Sequence, residues 1–194
     1  SVDGGLNWGT PKQAIDINAD GDKKPIDRPF IVSNETGNKL YITTKPPSWV
    51  STPNRPYFVF SSDSGESWEP WRYVDSTNFL VGNLIKGPFA PPSCIENSFS
   101  CIYPSYVSSQ NILAQYILAN TTNNGVQFSY KTVFAGVTTS QNDSAKVSYR
   151  LVQNPINLNH KAFIFPFSQT ADLDIYFTET LNNGDSWSSP IRLN

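Results

Sequence analysis

Oxygen-bearing side chains recur at alternate positions in Asp16-Ile-Asn18-Ala-Asp20-Gly21-Asp22-Lys-Lys-Pro-Ile-Asp27. Counted from Asp16 they fall at loop positions 1, 3, 5 and 12, with glycine at 6. That spacing wraps a chain around Ca²⁺, a hard cation that takes about six to eight oxygen ligands. Asp22 would give its backbone carbonyl, and Asp27 stands where glutamate is usual. Lys23 replaces the usual apolar residue. Without an ion the same residues are a solvated acidic turn whose carboxylates repel one another.

A second group could bind an organic ligand. Fork-shaped guanidinium groups suit carboxylates, and the chain has five arginines: Arg28, Arg55, Arg72, Arg150 and Arg192. Arg28 and Arg150 begin apolar runs, whereas Arg72 and Arg192 read as surface or packing residues. Trp49 lies in a proline-rich stretch with Lys45, Asn54, Arg55 and Tyr57, and Tyr103 and Tyr106 follow at a similar place further on. Aromatic platforms among a few polar groups make sugar-binding sites; the alternative is that Trp49 packs on the loop prolines. His160 is the single histidine. With no carboxylate cluster or second histidine beside it in sequence, it reads as a structural or solvated residue in a turn. Cys94 and Cys101 flank a turn-like hexapeptide. They are either a cross-strand disulfide or two free thiols, and an oxidising compartment favours the former.

The elements that position these residues follow from composition and repetition. Of the 194 residues, 15% are charged and 13% aromatic, the reverse of a disordered chain. A net charge of −2 gives no reason to expect nucleic acid or an anionic membrane as partner. No apolar run approaches a membrane span. The chain has no methionine and begins with Ser1, as expected of a processed protein or a piece of one. Asn34-Glu-Thr36, Asn120-Thr-Thr122 and Asn142-Asp-Ser144 fit the N-glycosylation pattern, in keeping with a secreted or cell-surface location.

Four octapeptides align: residues 1–8 (Ser1, Asp3, Gly5, Trp8), 61–68 (Ser61, Asp63, Gly65, Trp68), 121–128 (Thr121, Asn123, Gly125, Phe128) and 180–187 (Thr180, Asn182, Gly184, Trp187). Each reads Ser/Thr-x-Asp/Asn-x-Gly-x-x-aromatic, a pattern called the box below. The aromatic positions 8, 68, 128 and 187 are 60, 60 and 59 residues apart. A constant period of this kind marks a repeat architecture. The Asp or Asn accepts backbone N–H groups, the glycine supplies positive φ, and the aromatic opens the next strand. The box is therefore expected to be a structural hairpin cap. Between boxes lie short β-branched and aromatic runs, such as 28–33, 39–44, 56–61 and 69–74, with no sustained helical period. About four strands per 60 residues predict an all-β chain: a β-propeller of four-stranded antiparallel blades, about three in number, in one region 1–194. The expected blades are roughly 15–74, 75–134 and 135–194.

The boxes resemble the Asp boxes (BNR repeats) of the sialidase superfamily, fully so at 61–68 and nearly so at 1–8. The resemblance implies a sialidase-like propeller. Its ligand site would lie at the end opposite the boxes, formed by blade-to-blade segments and second-to-third-strand turns. It also implies a glycan or glycoprotein partner. Sialidases clamp the substrate carboxylate with three arginines and use an Asp acid/base and a Tyr activated by a Glu. Arg28, followed by Pro29, loosely matches the family's Arg-Ile-Pro with the order changed. None of the five glutamates is placed to activate a tyrosine, so a full catalytic set is not visible. The Asp16–Asp27 segment resembles the isolated calcium loops of dockerins and of some propellers. Three readings stand side by side: a glycan-binding or glycan-processing propeller with structural calcium, a non-catalytic adhesive or self-assembling subunit, and part of an exo-sialidase. The uncovered outer edge implies self-association or the remainder of a longer propeller.

Overall fold

The computed structural model describes residues 1, 3–15, 26–45, 56–74, 83–84, 92–107, 112–135, 149–167 and 174–194. Among them every regular element is a strand, so none is a helix long and apolar enough to cross a membrane.

Three antiparallel sheets follow one another along the chain. The first is β1 (Asp27–Ser33), β2 (Leu40–Lys45), β3 (Tyr57–Ser61) and β4 (Arg72–Tyr73), hydrogen-bonded in that order. In the second, β5 (Asn83–Leu84) and β6 (Ser93–Ile95) both pair with β7 (Ser98–Val107), followed by β8 (Ile112–Thr121) and β9 (Ser129–Ala135). The third is β10 (Arg150–Asn154), β11 (Asn157–Phe167), β12 (Asp174–Thr180) and β13 (Ile191–Arg192). The expected all-β architecture of four-stranded antiparallel units is present. The fourth strand of the first sheet is shorter than its sequence run, β4 covering two residues of the expected 69–74.

Period-two alternation explains how the sheets stack. Successive strand residues point to opposite faces, so a sheet covered on both sides shows continuous apolar runs. On β7, Phe99, Cys101 and Tyr103 face the first sheet, packed with Tyr41, Phe58 and Phe60. Ile102, between them, faces the third sheet with Leu151, Phe163 and Phe165. On β8, Ile117 and Ala119 join the first cluster, and Tyr116 and Leu118 the second. Burying an aromatic or large aliphatic side chain contributes about 1.5–3 kcal/mol, and edge-on ring pairs add about 0.5–1.5 kcal/mol. Phe58–Phe128 and Tyr116–Phe163 are such pairs, with centroids 5.3 and 5.2 Å apart. The outward faces of the end sheets carry the exposed apolar residues Ile31, Val152 and Ile164.

Polar contacts repeat at the junctions. Arg72 Nη1 donates to Gly125 O at 3.2 Å, and Lys131 pairs with Asp185 one period later. Lys12 pairs with Glu66 at 3.1 Å one period earlier. A basic residue a few positions after each of the first three boxes thus grips the next box.

The two thiols are free, which corrects the disulfide reading. In the β6–β7 hairpin Cys94 stands opposite Phe99, not Cys101. Cys101 lies two residues further along the partner strand, a diagonal of about 7–8 Å that exceeds disulfide reach.

Candidate functional site

The chain has two ends to consider, the one bearing the boxes and the one opposite. The box turns are built alike. The Ser/Thr hydroxyl donates to the Asx Oδ1 at 2.5, 2.8, 2.8 and 2.8 Å in chain order. It also accepts the glycine N–H at 2.8, 2.9, 3.0 and 2.9 Å. The same Oδ1 accepts the N–H of the seventh box residue at 3.0, 2.8, 3.0 and 2.9 Å. These bonds satisfy the amides exposed by the tight turn, as an Asx turn should. The residue before the box glycine is also left-handed: φ is 59° at Ser64, 57° at Asn124 and 59° at Asn183. Asparagine tolerates that region better than most residues, a requirement the octapeptide pattern did not reveal.

Charge is stabilised where the box carries an acid. The Ser67 hydroxyl and N–H and the Ser61 hydroxyl hold the Asp63 carboxyl down at about 2. The Ser1 hydroxyl, with Asn7, does the same for Asp3, also at about 2.

The third box differs in one respect. Elsewhere the seventh side chain closes onto the Asx group: Asn7 onto Asp3, Ser67 onto Asp63, and Asn182 Nδ2 onto Ser186 Oγ at 2.9 Å. Among the described hydrogen bonds none closes Gln127 onto Asn123. A cleft of about 300 Å³ opens there, lined by Asn120, Thr121, Asn123, Gln127, Phe128 and Asn183, with Thr122 and Ser129. Asn120 Nδ2 bridges to Asn183 O at 3.3 Å, tying the second sheet to the third at its wall. The sequence signal for this cleft was the departure of the third box from Asp and Trp at positions 123 and 128.

At the opposite end, the first strands begin with the two candidate arginines. Arg28 is the second residue of β1, next to a register shift between Asp27 and Phe30. Arg150 opens β10, exposed, its Nη1 donating to Tyr149 O at 3.0 Å. Both stand near the start of a first strand, but by register Arg150, opposite Ile164, corresponds to Phe30, opposite Thr43, and Arg28 lies two residues earlier. Tyr106 lies in β7 opposite Leu113 and Leu84. Tyr103 is fully buried in the core between the first two sheets, which corrects its reading as a ligand platform: its side of β7 faces a neighbouring sheet. Trp49 and Arg55 lie outside the described residues, as do Asp16, Asn18, Asp20 and Asp22 of the calcium loop. Asp27 enters β1 with its Cα opposite Lys45. Among the described residues no group of His, Cys, Asp and Glu could hold a metal ion.

His160 belongs to β11, not to the adjoining turn as expected, because the turn tightens to Pro155-Ile156. Its Nε2 lies 3.0 Å from Glu179 Oε2 on β12, a cross-strand pair.

No family model and no curated protein matches the chain. Solved structures do. A Trypanosoma rangeli sialidase in complex with 2,3-difluorosialic acid, a covalent intermediate, matches over 97% of this chain and 31% of that one, with TM-score 0.61 and 16% identity. NanB with optactamide matches over 87% and 39%, with TM-score 0.56 and 9% identity. The Hadza microbial sialidase Hz136 matches over 87% and 38%, with TM-score 0.53 and 16% identity. The chain therefore spans 31–39% of the length of these proteins. Its three sheets are blades of a sialidase-like β-propeller fold.

Proposed function

We propose that the chain is a glycan-recognising part of a sialidase-like propeller, secreted or cell-surface, acting through the end opposite the boxes. The observation that carries this reading is the fold likeness to a sialidase over 97% of the chain. It is supported by an arginine near the start of the first strand in two blades, Arg28 as the second residue of β1 and Arg150 as the first of β10. Paired guanidinium groups suit the carboxylate of an acidic sugar, and Trp49, Arg55 and Tyr106 would complete the wall. A calcium ion held by Asp16, Asn18, Asp20, the Asp22 carbonyl and Asp27 would brace the segment leading into β1. Processing of the glycan would need groups beyond those assembled in this chain.

The test is binding to an array of sialylated and neutral glycans, with turnover of a fluorogenic sialoside measured in parallel. Sialylated glycans should bind, and Arg28→Ala and Arg150→Ala should each weaken binding about tenfold or more. Equal retention of desialylated glycans, or no effect of either substitution, overturns the reading. A second reading, a self-assembling subunit, is favoured by Ile31 on one outward face and Val152 and Ile164 on the other. It expects a molecular weight that rises with protein concentration and no glycan retention.

A further inference from the structure

The cleft beside the third box has features of a built site that the box pattern alone does not require. Every residue lining it is uncharged, and the Lys161 ammonium that reaches Asn183 donates to Asn183 Oδ1 and Leu158 O. Its polar groups are carboxamides and hydroxyls, which both donate and accept. The Asn123 Oδ1 is already used by the Thr121 hydroxyl and the Gln127 N–H. Its Nδ2 and the Gln127 carboxamide are not closed on each other, unlike the matching pairs at Asp63–Ser67 and Asn182–Ser186. Phe128 contributes an apolar edge at the floor, 7% exposed. A volume of about 300 Å³ stands at the small end of ligand pockets, enough for one sugar ring and not for a chain of them.

We infer that this cleft, between the second and third blades at the box-bearing end, binds a single neutral hydroxyl-rich ring such as a hexose unit. Adjacent ring hydroxyls would bridge the Asn123 and Gln127 carboxamides, and the ring C–H face would meet Phe128. The site lies at the opposite end from the arginines and does not depend on the acidic-sugar reading. Either can fail without the other.

The test is titration of the ¹⁵N-labelled full chain with methyl α-D-glucopyranoside and methyl α-D-galactopyranoside, with N-acetylneuraminic acid as the charged probe. The Asn120, Asn123 and Gln127 side-chain amide signals should move with at least one neutral glycoside. Gln127→Ser places a serine where Ser67 and Ser186 stand, so it should close the box on Asn123, leave thermal stability intact and weaken the response about tenfold. Gln127→Ala should weaken it similarly without closing the box. The inference is overturned by any of three results: no movement of these amides with either glycoside, an undiminished response in both variants, or a stronger response to N-acetylneuraminic acid.

Discussion

Gly125 of the third box sits directly on the ring of Phe58 in the first blade: a Cβ at 125 would stand 2.2 Å from Phe58 Cε1. Gly184 repeats the relationship with Leu118 at 2.5 Å, one blade on. Phe58 and Leu118 are themselves one period apart. The box glycine is thus the point where each blade's turn seats on the third strand of the blade before it.

Gly125→Ala should therefore cost more than its backbone strain. A left-handed alanine costs about 1–2 kcal/mol, and forcing a methyl into a packed ring about 1–3 kcal/mol more. Gly37→Ala is the control, with φ of 73° and nothing within 4 Å of its Cβ. Chemical denaturation should show Gly125→Ala and Gly184→Ala each losing clearly more than Gly37→Ala. Equal losses would mean the glycine is needed for φ alone.

The Asp63 carboxyl should make stability depend on acid. Its folded value, about 2, lies below the ordinary 3.8 because the Ser67 and Ser61 groups donate to the ionised form. Above the ordinary value both folded and unfolded chains are ionised and the contribution is complete; it is lost as pH falls from there through about 2. Asp63→Asn keeps the Oδ1 acceptor, as Asn123 and Asn182 already do. The wild-type advantage in thermal midpoint should shrink steadily across that acid range. An advantage that is constant with pH would remove the carboxylate from the account.

Lys161 should act in the alkaline range. Its ammonium is fully buried and donates to Leu158 O at 2.8 Å and Asn183 Oδ1 at 2.6 Å. Burial lowers its value from 10.5 to about 8. Between those values the unfolded chain holds the proton more tightly, so the lysine's contribution becomes more favourable as pH rises from about 8 towards 10.5. Measured against Lys161→Met, wild type should gain thermal midpoint over that interval. A flat difference would mean the two acceptors fully offset the desolvation.

Both thiols should be present and sluggish. Burial pushes Cys101 up to about 12 and Cys94 up to about 11, so little thiolate exists at neutral pH. Maleimide should label the folded chain slowly. After unfolding without reductant, it should add two labels. An unlabelled product lighter by two hydrogens would restore the disulfide.

The box turns were legible because their chemistry is local: a hydroxyl, an Asx and a glycine within five residues make nearly all their own bonds. The strands were legible because β-branched and aromatic runs alternate with turn residues. The hairpin around Cys94 and Cys101 was not, since a two-residue shift of register decides whether the thiols face each other. Tyr103 misled for a related reason. Its type suits a sugar platform, but the blade beside it, which the local sequence does not display, buries it. The cleft at Gln127 required comparing four boxes for a bond that is missing from one.

Among the described residues, β7 and β8 of the middle blade give one row of side chains to each neighbour. Amide protons on these two strands can exchange with solvent only after an outer blade has peeled away. Opening therefore proceeds inward from the flanks, as in stacked-repeat proteins, and the slowest-exchanging amides should cluster at Ile102 and Ile117.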